Sequence, residues 1–153
     1  MRKDMTNDVS VVAEILDAAE VLFLALPATP ENGGAPYTVP VNFARVGDRL
    51  ALHSSRKGTK AGLLRSGAPC GFSALAEATL RTGPKACKFS YAFRSVAGYG
   101  VPYEEEDADR RKALLTAIVD KYGGQGLEID QAVLDKTAIF VIRMKQATAR
   151  VHP

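Results

Sequence analysis

The spacing of apolar and polar residues predicts a chain built mainly from β-strands, with two long helices. Apolar residues recur at helical spacing near the start of the chain and again in its last third. Between these regions, short apolar or alternating runs are separated by Gly, Pro, Asn and Asp. We therefore predict helices at 8–20 and 107–122, a short helix within 55–66, and strands at 21–26, 37–45, 49–55, 70–75, 89–101 and 138–150.

The order of these elements indicates the fold class. The strands follow one another too closely for helical crossovers between parallel neighbours, so the sheet is expected to be mostly antiparallel. Five or six strands in 153 residues indicate a small closed or half-closed barrel with flanking helices, an α+β fold that is mainly β. The length predicts one domain over residues 1–153. Residues 76–88 are too mixed in pattern for an assignment.

A Gly-Asp turn at 47–48 predicts a β-hairpin whose register can be derived. In that register, Phe43 faces Leu52 and Asn42 faces His53. Because side chains alternate between faces, one face of the hairpin is apolar and belongs to the core. The opposite face is polar or small and suits a flat ligand, although Asn42 and His53 also fit ordinary solvent-facing strand residues. That face carries Pro40, Asn42, Ala44, Ala51, His53 and Ser55.

Two segments carry candidate chemistry. The strand at 49–55 runs directly into SSRKGTK at 54–60, which precedes the short helix. Hydroxyls, backbone N–H groups and Lys or Arg at a helix N-terminus are what proteins use to bind phosphate, although a capped surface helix fits the same pattern. The second segment places Arg94 and Ser95 in an aromatic-rich strand, where an outward arginine is the simpler interpretation. Together, the segments indicate a flavin-type cofactor site on a β-barrel.

Composition and the absence of certain motifs argue against several classes of function. The net charge is +3 without a dense basic stripe, which argues against nucleic-acid binding. The two cysteines form no CxxC pair and indicate neither a zinc site nor a disulfide framework, so we expect a reducing cytoplasm. Residues 1–10 lack the apolar run of a signal peptide, and no run approaches the ~18 apolar residues of a membrane span. Motifs of the GxSxG, HExxH and GxGxxG types are absent from the sequence.

Three segments resemble a known family. They are YTVPVNFARVGDRLALHSSRKGTKAGLL at 37–64, YAFRSVAGYG at 91–100 and EEDADRRKALLTAIVDKYG at 105–123. They are similar to the pyridoxamine 5'-phosphate oxidase-like flavoproteins with the FMN-binding split barrel, and in particular to the nitroimidazole-resistance (Nim-like) branch. The resemblance covers nearly the whole chain. It implies a homodimer with two cofactor sites at the subunit interface.

The resemblance also implies which residues bind the cofactor. Lys60 occupies the phosphate-holding position, and Arg94 approaches the site from the partner subunit. The segment 39–42 and the end of the strand at His53 border the flavin. In full, the residues expected at the cofactor are Val39, Pro40, Val41, Asn42, His53, Ser54, Ser55, Gly58, Thr59, Lys60, Arg94 and Ser95.

The function implied by the resemblance is that of an FMN-dependent oxidoreductase. It would pass electrons from a nicotinamide donor, NAD(P)H, to a small acceptor such as a nitroaromatic or a quinone. The protein supplies binding, orientation and electrostatics, and His53 is the candidate catalytic side chain, as a proton or hydrogen-bond donor at the flavin edge. No metal site is expected unless the cofactor is haem, with His53 as axial ligand.

Other interpretations of this family resemblance stay open. The first is a non-catalytic haem- or flavin-binding carrier or sensor. A structural dimer with an empty cleft is a further alternative, and F420 is an alternative cofactor.

Overall fold

An antiparallel sheet of eight strands, flanked by four helices, makes up the fold of residues 4–153, which the computed structural model describes. The predicted class, a mainly β barrel of the α+β type, is confirmed. In chain order the elements are β1 (Met5–Thr6), α1 (Val9–Ala18), β2 (Leu22–Ala28), β3 (Pro36–Val41), β4 (Phe43–Val46), β5 (Arg49–Ser55), α2 (Thr59–Arg65), β6 (Cys70–Arg81), β7 (Ser90–Glu104), α3 (Ala108–Lys121), α4 (Gln131–Lys136) and β8 (Thr137–His152).

The two ends of the sheet are joined by a single residue. Neighbouring strands follow the order β3-β2-β6-β7-β8-β5-β4, and β1 pairs with β8. The end strands β3 and β4 are consecutive in the chain, since only Asn42 separates Val41 from Phe43. The sheet therefore curves until its two ends meet. We call the junction of β3 and β4 at Asn42 the barrel seam.

The hairpin of β4 and β5 has the predicted register. Val46 pairs with Arg49 and Phe43 pairs with Leu52 across the two-residue turn at 47–48. The first turn residue is a glycine with a φ of +63°, which glycine adopts without a steric penalty. Regular pairing stops at Phe43, so Asn42 lies one position beyond the last ladder pair and does not form the pair with the opposite strand that the register predicts.

One large apolar cluster fills the interior of the barrel. Helix α1 contributes Val12, Ile15 and Leu16, which are all buried. The side chain of Asp8 caps this helix by accepting hydrogen bonds from two backbone N–H groups of the first turn. The strand residues of the cluster include Leu22, Leu24, Phe43, Leu52, Phe72, Phe140 and Ile142.

Helix α3 covers the outer face of β4 and β5. Its Ile118 packs with Ala44 and Ala51, which are only 3% and 0% exposed. The expectation that these two alanines lie on an open, ligand-binding face is therefore wrong, because their small side chains make room for a helix. The part of that face that stays exposed consists of Pro40, Asn42, His53 and Ser55.

The remaining differences from the predicted elements concern the lengths of two strands, two elements that were not predicted and one strand that is divided. Strands β6 and β7 are longer than predicted and pair as a two-stranded arm, which takes in part of the unassigned segment 76–88. Helix α4 and the two-residue strand β1 have no counterpart in the prediction. The strand predicted at 37–45 is divided at Asn42.

Candidate functional site

The predicted cofactor residues 39–42, which form the end of β3 and the seam residue after it, alternate between the core and the surface. Val39 and Val41 pack against the core. Pro40 and Asn42 are exposed. Of these four residues, only Pro40 and Asn42 present their side chains to a ligand on the outside of the barrel.

The end of β5 alternates in the same way. His53 is exposed, Ser54 is buried with a relative exposure of 5%, and Ser55 is exposed. The Oγ atom of Ser55 donates a hydrogen bond of 2.6 Å to the carbonyl oxygen of Lys57. The imidazole of His53 is therefore the side chain that this strand end offers to a ligand, while the Ser55 hydroxyl fixes the start of the following loop.

The imidazole of His53 has a lowered pKa. Desolvation of the ring is the main cause, although part of the side chain stays exposed, and the positive charge of Lys60 is the second. The charge of Lys60 therefore acts on the imidazole and disfavours its protonated form. Since the ordinary pKa of histidine is about 6.5, His53 is mostly neutral at neutral pH and can donate or accept a hydrogen bond.

The loop from β5 to α2 ends in a glycine and a half-buried lysine. Gly58 has a φ of +107°, and no side chain caps the helix that follows it. Apart from its two chain neighbours, no residue places an atom within 4 Å of the position that a Cβ on Gly58 would occupy, so the surface here is open. Burial lowers the pKa of Lys60, which means that its charge is incompletely solvated. A phosphate at this position would compensate that cost.

Two arginines hold this loop in place. The Nε atom of Arg56 donates to the carbonyl oxygen of Asp135 at 2.7 Å, and the Nη1 atom of Arg65 donates to the carbonyl oxygen of Arg56 at 2.8 Å. Arg65 also forms an ion pair with Glu104. The sequence did not indicate this contribution of Arg56, because its partner lies on the unpredicted helix α4. A polar hollow of about 330 Å³ beside the loop is lined by Arg56, Arg65, Glu104, Glu105, Glu106 and Arg111.

Within one chain, Arg94 and Ser95 lie far from His53 and the loop that follows it. Arg94 pairs with Val151 near the end of β8, whereas His53 pairs with Ile139 near its start. Twelve positions along an extended strand correspond to at most about 40 Å of strand length. A single chain therefore brings together the residues of β3, β5 and the loop, but not those of β7.

In its own chain, the Arg94 guanidinium forms two ion pairs. Its Nη2 atom lies 2.8 Å from a carboxylate oxygen of Glu14 on α1, and its Nη1 atom lies 3.3 Å from one of Glu77 on β6. These contacts tie the arm of β6 and β7 to helix α1. A cofactor contact from Arg94 would have to compete with both carboxylates.

The outer face of β2, β3, β6 and β7 is not covered by a helix in the described chain, and we call it the bare sheet face. Phe23, Leu75 and Tyr99 on this face are 51%, 47% and 48% exposed. Phe23 pairs with Pro40, so the bare sheet face continues directly into the exposed site residues of β3. A groove of about 510 Å³ on this face is lined by Phe23, Leu24, Ala25, Thr38, Gly71, Phe72, Ser73, Ala97 and Gly98.

A second hollow lies away from the site. It has a volume of about 580 Å³ and is formed by α1, the hairpin turn at 47–48 and the middle of β8, with Val12 and Met144 among its lining residues. The surface around His53 and Lys60 contributes to neither this hollow nor the groove. In the isolated chain the predicted site is thus an open surface.

A comparison of the sequence with models of protein families identifies the family of this chain. Residues 8–151 match the pyridoxamine 5'-phosphate oxidase family. The chain belongs to this family. The match spans almost the whole chain, and it confirms the family that the hairpin and the following basic loop indicate. A comparison with curated proteins finds no significant match.

Solved structures share the split-barrel fold of this pyridoxamine 5'-phosphate oxidase family member. A putative 5-nitroimidazole antibiotic resistance protein from Bacteroides thetaiotaomicron is 23% identical, with a TM-score of 0.79 over 96% of this chain and 86% of that one. The FAD and heme binding protein from Mycobacterium smegmatis is 21% identical, with a TM-score of 0.86 over 98% and 74%. The flavocytochrome Anf3 from Azotobacter vinelandii is 21% identical, with a TM-score of 0.85 over 100% and 72%. At these identities, the similarities establish the fold.

Two further properties concern residues 4–153. No three or more His, Cys, Asp or Glu side chains in this range are placed so that they could bind a metal ion together. No helix in the same range combines the length and the apolar character that crossing a membrane requires.

Proposed function

We propose that this protein binds FMN at the barrel seam and acts as an oxidoreductase, passing electrons from NAD(P)H to a small acceptor such as a nitroaromatic or a quinone. The observation that carries the proposal is a half-buried cation, Lys60, whose charge acts on the exposed His53 and thus on the surface that continues to Asn42. This arrangement, in a chain of the pyridoxamine 5'-phosphate oxidase family, provides a cation for a phosphate next to a surface for a flat ring.

The phosphate end of the proposed site is the loop before α2. Lys60 supplies a half-buried positive charge, and the Gly58–Thr59 peptide leaves the surface beside it open. A charge-assisted hydrogen bond from lysine to phosphate is about twice as strong as a neutral one. These residues fit a phosphorylated flavin better than riboflavin, which lacks the phosphate.

The ring end of the proposed site is the exposed surface formed by Pro40, Asn42 and His53. The proline offers an apolar contact, the amide of Asn42 can donate and accept hydrogen bonds, and the imidazole of His53 can do the same in its neutral form. When bound, the isoalloxazine ring supplies the redox chemistry. His53 would hold or donate a proton at the edge of the ring.

We further propose that the protein is a homodimer and that the bare sheet face is its interface. This face is apolar, partly lined by small residues, and continuous with Pro40 at the site. Burying exposed side chains such as Phe23 and Tyr99 would stabilise the association. In such a dimer, Arg94 and Ser95, which lie far from His53 along β8, would reach the site from the second copy.

The experiment that tests FMN binding compares two ligands that differ only in the phosphate. Purified protein is titrated with FMN and with riboflavin, and quenching of flavin fluorescence reports binding. We expect FMN to bind at least tenfold more tightly, which corresponds to about 1.4 kcal/mol. Equal affinities would contradict the phosphate site at Lys60, and absence of binding by either flavin would contradict the proposed function.

A haem-binding carrier or sensor is the second candidate. The observation that favours it is the lowered pKa of His53, because neutral imidazole is the form that ligates iron. Two proteins that share the fold are described as binding haem together with FAD or as a flavocytochrome. The visible spectrum of the purified protein separates the candidates, since haem gives a sharp Soret band and flavin gives two broad bands.

A further inference from the structure

The barrel seam lacks a complete strand ladder, and a side chain from another element supplies the missing hydrogen bond. β3 ends at Val41 and β4 begins at Phe43, so the chain between them belongs to neither ladder. The backbone N–H of Phe43 donates to the hydroxyl oxygen of Tyr122, at 3.2 Å. That hydroxyl donates in turn to the carbonyl oxygen of Glu20, at 2.6 Å.

The residue before Tyr122 contacts the side chain of the same phenylalanine. The ammonium nitrogen of Lys121 lies 3.5 Å from the centroid of the Phe43 ring and donates a hydrogen bond of 2.9 Å to the carbonyl oxygen of Leu16. Leu16 lies in the last turn of α1, where carbonyl groups lack helical partners. The end of α3 therefore holds both the backbone and the ring of Phe43 and connects them to the end of α1.

The position of Phe43 links these contacts to the proposed cofactor site. Phe43 directly follows Asn42 in the chain. It also pairs with Leu52, which directly precedes His53. A shift in the backbone of Phe43 would therefore move Asn42 and, through the ladder, alter the end of β5. Neither Lys121 nor Tyr122 needs to touch the cofactor for this effect.

We propose that Lys121 and Tyr122 are positioning residues of the cofactor site, which fix the barrel seam so that Asn42 and His53 present one surface to the flavin. This assignment rests on the proposed function. The assignment extends that function, because the contacts of two residues at the end of α3 would determine the geometry of a site on β3 and β5.

The test uses the conservative variant Tyr122→Phe, which keeps the ring and removes the hydroxyl. The matched control is Tyr103→Phe, because the Tyr103 hydroxyl accepts a long hydrogen bond of 3.4 Å from Arg49 at the opposite end of β5 from His53. Three quantities are measured in both variants and in wild type: the FMN dissociation constant, the visible circular dichroism of bound FMN, and hydrogen exchange at the Phe43 amide by NMR.

For Tyr122→Phe we expect faster exchange at the Phe43 amide, an FMN dissociation constant about tenfold higher, and an altered circular dichroism of the bound flavin. Tyr103→Phe should match wild type in all three. A merely structural role for Tyr122 would lower the melting temperature without changing the flavin signal of the folded protein. Wild-type affinity and circular dichroism in Tyr122→Phe would overturn the assignment.

A second variant covers the case in which Tyr122→Phe does not fold. Lys121→Met keeps an apolar stem over Phe43 and removes the hydrogen bond to Leu16, and it should weaken FMN binding in the same direction. Wild-type FMN binding by folded Lys121→Met would overturn the assignment. Failure of the proposed function gives a different result, because the wild-type protein then binds no FMN. The positioning role of Lys121 and Tyr122 would be rejected together with that function.

Discussion

The positive charge of Lys60 acts on the imidazole of His53 and contributes to the lowered pKa of that ring. The two side chains come from different elements, the start of α2 and the end of β5. Protonation of His53 and the charge at Lys60 are therefore coupled. Any anion that binds at Lys60 changes the protonation equilibrium of His53, even without contacting it.

This coupling predicts the effect of removing the charge. Lys60→Met should raise the pKa of His53, because a neighbouring positive charge disfavours the imidazolium form. The pKa should stay below about 6.5, since burial is the larger cause of the shift and persists in the variant. NMR titration can follow the change, because the chain has only two histidines. The other histidine, His152, makes a tilted ring contact with Phe93, and a His152→Gln variant assigns the two imidazole signals.

Reversing the charge at Lys60 should weaken cofactor binding strongly. Lys60→Glu removes one attraction to the phosphate and adds one repulsion, so we expect at least a tenfold rise in the FMN dissociation constant, or about 1.4 kcal/mol. Lys57→Glu is the matched control, since Lys57 lies in the same loop but is exposed. Riboflavin binding should change little in either variant. Equal losses of FMN affinity in both variants would indicate a general charge effect.

Removing the imidazole should affect chemistry more than binding. His53→Ala leaves Lys60 in place, so FMN should still bind. Reoxidation of the reduced flavin by the acceptor should slow, and its pH dependence in the range of histidine titration should disappear. Stopped-flow absorbance measures both. If the protein binds haem, the same variant should lose the Soret band instead, whereas unchanged reoxidation at all pH values would exclude His53 from the chemistry.

The bare sheet face predicts the oligomeric state. Wild-type protein should be a dimer at micromolar concentration, and Phe23→Lys should produce monomers, because it places a charge in the centre of the proposed interface. Val133→Lys on α4 is the control, since Val133 is 53% exposed and lies on another face. Light scattering gives the mass of each variant. A monomeric wild-type protein would contradict both the dimer and the interfacial site.

Mixing two variants, each defective in one half of the proposed site, tests whether Arg94 acts across that interface. Neither Arg94→Ala nor Lys60→Glu homodimers should form a complete site. A heterodimer of the two should contain one site with both residues intact, so FMN binding should recover at one site per dimer. No recovery would mean that Arg94 serves only its own chain, through its ion pairs with Glu14 and Glu77.

The hairpin shows what the sequence could predict. The two-residue turn at 47–48 determines which residues pair, so the pairing of Phe43 with Leu52 followed from local pattern alone. The same pattern could not show that Ala44 and Ala51 lie beneath α3, because a small residue fits an open face and a helix contact equally well. Which helix covers a sheet face is decided by long-range packing.

Two other features of the site depend on distant parts of the chain. The position of Arg94 follows from the register between β7 and β8. No tight turn joins these two strands, so the sequence of either strand does not specify their register. The contact of Arg56 with Asp135 depends on α4, a helix of six residues that is too short for a periodic apolar pattern. Helix α3, with its long apolar stripe and Asp107 cap, was predicted within one residue of its observed ends.

The single-residue seam has a consequence for insertions and deletions. β3 pairs with β2 and β4 pairs with β5, yet both belong to one continuous stretch that passes through Asn42. Adding or removing one residue between Val41 and Phe43 would turn the side chains of one of these strands to the opposite face. Related sequences should therefore keep the chain length across Asn42 constant, whereas the arm tip at 82–89 is free to vary in length.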